Sequence, residues 1–116
     1  MALSYISTRG AAPAVGFEAV LLTGLAPDGG LYVPERWPRL ARDLAGSSYA
    51  DTAAAVLAPF TAGTVDEAEL RAMAQDVYAG FDHPATAPLI QLGHDQWLLE
   101  LFHGPTLAFK DFAMQL

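Results

Sequence analysis

The spacing of apolar and polar positions changes character twice along this chain. Tyr5-Ile6-Ser7-Thr8-Arg9-Gly10 reads as a short strand running into a loop at Gly10 and Pro13. Phe17, Val20, Leu21 and Gly24 lie three and four apart, which predicts a short amphipathic helix over 17–25. Gly24 is placed to end it, because glycine takes left-handed dihedrals at little cost. Pro27-Asp28-Gly29-Gly30 is a turn, and Leu31-Tyr32-Val33 a short strand stopped by Pro34. From Trp37 the pattern becomes helical, with a short helix expected over 38–44. Ser48 with Asp51 resembles a capping box ahead of the alanine-rich run 51–58, which Pro59 ends or bends. Thr64 with Glu67 forms a second box. Leu70, Met73, Ala74, Val77, Tyr78 and Phe81 then make one apolar stripe that belongs in a core, and Gly80 and Pro84 close the helix.

After Pro88 the period changes. Leu89–Leu92 and Trp97–Phe102 flank Gly93-His94-Asp95-Gln96, which predicts a β-hairpin. His103-Gly104-Pro105 breaks the second strand, and Thr106 begins a last helix through Phe112 and Leu116. The expected class is α+β: a mainly helical N-terminal domain with short strands over 1–86, then a hairpin and a helix start over 87–116. The boundary is set where the pattern changes, between Pro84 and Pro88.

Composition narrows the classes. A chain of 116 residues carries one domain with a modest core. The hydrophobic share of 53% owes much to alanine, and no stretch approaches the ~18 consecutive apolar residues of a spanning helix, so no membrane role is expected. The N-terminus lacks a basic region followed by an apolar run, which argues against a signal peptide. With no cysteine there is no disulfide framework and no thiolate metal site, and a cytoplasmic location fits. A net charge of -7 argues against a nucleic-acid surface. His83, His94 and His103 are too dispersed for a local metal motif, so no metal is expected. Gly29-Gly30 lacks the strand–loop–helix context of a phosphate cradle, and no nucleophile elbow is present.

One residue type remains conspicuous. Lys110 is the single lysine, set after a His-Gly-Pro-Thr turn and inside an apolar run; five arginines supply the other basic groups. A genome rich in G and C explains that bias without any function. The expected position of Lys110 is the first turn of the last helix, near partial positive charge and unpaired N–H groups. Leu107, Ala108, Phe109 and Phe112 would reduce solvation of an ammonium there. Both effects favour a neutral, nucleophilic amine. Asp111 would oppose them only if it faced the amine, and neighbouring helical residues face different ways. The plain alternative is a solvated surface lysine.

"ELFHGPTLAFKDFAMQL", together with "YISTRG" and "DGGLYVP" in that order, resembles the threonine synthase family. Between 41 and 92 only the helical pattern agrees. The resemblance implies a pyridoxal-phosphate enzyme of fold type II, with Lys110 as the lysine that holds the cofactor through a Schiff base and then shuttles protons. It implies O-phospho-L-homoserine as substrate and L-threonine and phosphate as products. Phe109 is either a cofactor neighbour or core packing. Thr106 is either a substrate or cofactor contact or a helix cap, and His103 either has a role there or shapes the turn. Arg9 either meets a phosphate or carboxylate or lies on a solvent-facing loop. A family member continues well past Leu116, so the chain reads as an N-terminal fragment, expected to be inactive alone, without tight cofactor binding, and able to self-associate through exposed strand edges. A non-catalytic helical interaction domain, or a related lyase acting on another phosphorylated amino compound, are the competing readings.

Overall fold

The computed structural model describes residues 2–40 and 43–116. Element order is β1 (Tyr5–Ser7), α1 (Phe17–Thr23), β2 (Tyr32–Pro34), α2 (Tyr49–Thr61), α3 (Glu67–Tyr78), β3 (Leu89–Gly93), β4 (Gln96–Leu99) and α4 (Asp111–Met114). Two separate antiparallel pairs form, β1 with β2 and β3 with β4. Helix and strand are mixed, as the α+β expectation requires.

The chain between β1 and β2 is tied together by one carboxylate. Asp28 Oδ1 accepts from the Ser7 hydroxyl at 2.7 Å and the Gly30 N–H at 2.9 Å, while Oδ2 accepts from the N–H groups of Ala11 and Ala12 at 3.0 Å each. Hydrogen bonds from Ser7 and Gly30 lead in lowering its pKa below the ordinary carboxylate value, against the opposing effect of burial. Gly30 has to be glycine here: a Cβ would collide with Ser7 Oγ and lie 3.1 Å from Arg9 N.

Helix α2 begins as its sequence says, with Ser48 Oγ accepting from Asp51 N–H at 3.1 Å. Pro59 does not end it; the helix runs on to Thr61. Pro59 cannot donate to the carbonyl four residues back, and the last turn is held from outside, where Tyr5 donates its hydroxyl to the Phe60 carbonyl at 2.6 Å. Helix α3 is capped by Asp66, not Thr64. Asp66 accepts from Glu69 N–H at 2.8 Å and Glu69 accepts from Asp66 N–H at 3.1 Å, while Thr64 lies in the preceding turn with its N–H on Thr61 O. No helix forms at 38–40 or 43–44; residues 41 and 42 lie outside the described residues.

The α2–α3 pair makes the core. Ala50, Ala54 and Ala55 are buried on α2, and Leu70, Ala74 and Tyr78 on α3. Small residues let the axes approach, and Tyr49 meets Tyr78 edge-on with centroids 4.8 Å apart. Arg71 spans the pair, reaching Asp51 at 3.0 Å and Glu67 at 2.9 Å. Met73, expected in the core stripe, faces solvent, because the buried positions Leu70, Ala74 and Tyr78 follow a stricter i, i+4 line.

The predicted hairpin is present, with an irregular register between Gln91 and Gly93. Its second strand stops at Leu99, three residues short of Phe102: Glu100 N–H still donates to Pro88 O at 3.0 Å in register with the Leu89–Leu99 pair, but Pro88 has no N–H to carry the ladder further. All residues of β3 and β4 are exposed. The stretch after the hairpin returns to the helices. Asp82 N–H donates to His103 O at 2.8 Å, the His83 and His103 rings lie 4.9 Å apart, and the Tyr78 hydroxyl donates to Phe112 O at 2.8 Å.

Candidate functional site

The turn from Gly104 to Asp111 is what displays Lys110. Helix α4 starts at Asp111, so Lys110 is its N-cap residue and not part of its first turn. The reason lies upstream. Leu107 adopts φ 63°, a left-handed conformation that costs a non-glycine residue roughly 1–2 kcal/mol, so a helix cannot start at Thr106. Thr106 therefore caps no helix. Its N–H donates to Asp111 Oδ2 at 2.8 Å and its hydroxyl to Asp111 Oδ1 at 2.7 Å. Asp111 is 3% exposed and lies against Gly104, where any Cβ would approach its side chain to 2.5 Å.

Burial alone would raise the Asp111 pKa. Hydrogen bonds from Thr106, Gln115 and the Ala108 backbone outweigh it and hold the group below its ordinary value. The carboxylate is thus ionised at neutral pH, with its charge directed at Thr106. Lys110, its neighbour, is exposed, and no hydrogen bond or ion pair engages its amine among the described residues.

Residues 110–112 point in three directions. Phe112 enters the aromatic cluster, with centroids 5.0 Å from Phe81, 5.8 Å from Tyr49 and 6.3 Å from Tyr78. Asp111 turns into the 104–106 turn, and Lys110 is left to solvent. Phe109, for which core packing was one expectation, is 67% exposed and takes no part in the core; Phe112 does instead. Leu107 is 70% exposed, so the apolar neighbours expected to shelter the amine do not do so within this chain.

Arg9 stands elsewhere. Its Nη1 donates to the Asp28 carbonyl at 3.0 Å and its N–H to Ser7 Oγ at 3.1 Å, at the end of the β1–β2 pair. No described contact brings it to the 104–111 turn. His103 is bound to Glu100 at 2.7 Å and shapes the approach to that turn. The sequence places Asp28 in a turn and Tyr78 in the core stripe, but it does not reveal the Asp28 hydrogen-bond network, the Tyr78 hydroxyl bond to Phe112 O or the inward role of Asp111. Only the five-residue step from Thr106 to Asp111, directly after Gly104-Pro105, could have signalled the last of these.

A pyridoxal group needs a primary amine that is open on one side and not neutralised by a carboxylate, and Lys110 meets both conditions. Fold and site together define a mixed α/β body that presents one lysine amine on a braced turn. The family model described as threonine synthase N terminus matches residues 4–78. Threonine synthase of Pseudomonas aeruginosa is 53% identical over 98% of this chain and 25% of its own length. A crystal structure of PLP-bound threonine synthase from Brucella melitensis superposes with a TM-score of 0.91 at 50% identity, covering 97% of this chain and 25% of that one. Yeast threonine synthase superposes at 0.85 with 36% identity, over 96% of this chain and 24% of that one. The chain belongs to the threonine synthase family, matching its N-terminal region. It spans about a quarter of the length of these relatives.

Proposed function

We propose that this chain is the N-terminal part of a threonine synthase, a pyridoxal-phosphate-dependent carbon–oxygen lyase of fold type II that converts O-phospho-L-homoserine and water to L-threonine and phosphate. The observation that supports this best is the lone lysine, exposed and unpaired just ahead of two residues, Asp111 and Phe112, that are both anchored inward. When bound, the cofactor supplies an electron sink for carbanion chemistry. Lys110 is the residue that would hold it, and its amine, once released, is the group that would carry protons to and from substrate carbons. Phe109, exposed one residue before it, is free to lie against an aromatic ring. Thr106 keeps lone pairs on Oγ1 to accept from a ligand, though its proton is committed to Asp111. Arg9 is the substrate-anion candidate only if further polypeptide brings the two ends together.

The division at 86/87 is part of the same reading, residues 87–116 being the start of the catalytic domain. So is the absence of activity in the chain alone. Both faces of the β3–β4 hairpin are bare, as expected of a piece of a larger sheet, and its edges offer a route to self-association. A cytoplasmic setting accompanies the biosynthetic role; no helix among the described residues is long and apolar enough to cross a membrane.

The test uses a full-length synthase with this chain as its N-terminal quarter. Absorbance above roughly 400 nm is expected on cofactor addition. Borohydride reduction and peptide mapping should place the pyridoxyl group on Lys110. Label at another lysine, or normal turnover with Lys110→Ala, refutes the assignment.

A further inference from the structure

Resting on the reading of Lys110 above, we propose that Asp111 is a positioning residue for that amine: by accepting both the N–H and the hydroxyl of Thr106, it locks the 104–111 turn and turns Lys110 outward. Four observations carry this. The Asp111 side chain is almost fully buried, yet every described bond it makes is local to the turn and to α4. Gly104 leaves the space that Asp111 fills, so the carboxylate has one seat. Leu107 holds a left-handed φ between the two partners, a conformation that persists only where its surroundings enforce it. The Leu107 N–H bond to Gly104 O at 3.1 Å closes the same ring of contacts. Take away the carboxylate and Thr106 loses both of its described bonds to the helix side of the turn; Leu107 is then free to relax, and residues 108–110 move with it.

Positioning of this kind shows in rate more than in stability. A misplacement of order 1 Å costs a reacting pair as much as ~100-fold. In the full-length synthase, Asp111→Asn and Thr106→Val are each expected to slow covalent attachment of pyridoxal phosphate to Lys110 about 10–100-fold, with kcat falling and KM near unchanged. Thr106→Ser, which keeps the hydroxyl, should restore wild-type rates. The double variant should be no slower than the slower single one, because both break the same contact. Unchanged attachment rates, losses that multiply in the double variant, or losses tracking only the unfolded fraction would overturn the proposal.

Amide exchange separates this claim from the assignment of Lys110. The Thr106 N–H should exchange slowly in the 116-residue chain and fast in Asp111→Asn. If the unsubstituted synthase carries no label at Lys110, the proposed function fails, and this exchange contrast alone decides whether Asp111 locks the turn. If exchange is fast in both chains, Asp111 does not lock it, whatever Lys110 does.

Discussion

Phe109 and Phe112 offer a sharp contrast, being the same side chain three residues apart on opposite sides of the lysine. Phe112 packs against Tyr49, Tyr78 and Phe81 with centroids at 5.0–6.3 Å, and the hydroxyl of Tyr78 holds its carbonyl. Phe109 has 67% of its surface in solvent. Truncating a fully buried phenylalanine to alanine costs about 3–5 kcal/mol. Phe112 is half-buried, so about 2–3 kcal/mol is expected for Phe112→Ala. That is a large part of the ~5–15 kcal/mol available to a domain of this size, and corresponds to a fall in Tm of roughly 10–20 °C. Phe109→Ala should stay within ~0.5 kcal/mol. Urea unfolding followed by near-ultraviolet circular dichroism measures both, since the tyrosine cluster reports on the packing in question. Equal losses for the two variants, or less than about 1 kcal/mol for Phe112→Ala, would show that the segment after the hairpin does not sit on the helical pair.

Gly30→Ala places a methyl group against Ser7 Oγ and Arg9 N, so it should break the Asp28 network at a cost of about 1–3 kcal/mol in urea melts; a neutral outcome would mean the network is not rigid. Asp66→Ala removes the cap of α3 and should cost about 0.5–2 kcal/mol, whereas Thr64→Ala should be near neutral. Asp28 and Asp111 both have lowered folded-state pKa values, so the stability they contribute is complete above the ordinary carboxylate range and is lost as pH falls through the depressed values. Denaturation midpoints should therefore be flat from about pH 7 to 5 and fall below about pH 4, less steeply in Asp28→Asn; a decline already complete at pH 5 would contradict this.

Local periodicity made much of this fold legible. The short apolar runs on either side of Gly93-His94-Asp95-Gln96 signalled the hairpin, and Ser48 with Asp51 signalled the start of α2. Thr64 misled because two overlapping box patterns, Thr64/Glu67 and Asp66/Glu69, compete in one stretch, and only the backbone decides between them. Met73 misled because an i, i+3 neighbour of a buried leucine still points outward when the partner helix is lined with alanine. The lysine was conspicuous in the sequence, but its geometry was not legible there. Nothing in its neighbourhood announces that Leu107 is left-handed, and that single dihedral moves the helix start from Thr106 to Asp111.

That shift alters what the chain itself must contribute to an amine site. A lysine within a helix's first turn would owe its direction to the helix. Lys110 precedes a helix of four residues, too short to orient anything, so its direction comes from what holds residues 111 and 112. One anchor is polar and local, Asp111 on Thr106; the other is aromatic and long-range, Phe112 on the α2–α3 pair. The long-range anchor joins the amine to helices far upstream in sequence, which gives those helices a mechanical part in placing it. What the chain leaves undone is equally specific. Leu107 and Phe109 stand in solvent beside the amine, and β3–β4 stands bare on both faces. On the reading proposed for Lys110, exclusion of water would have to come from polypeptide laid over these surfaces, while the anchors at Asp111 and Phe112 already fix the residues that follow the amine.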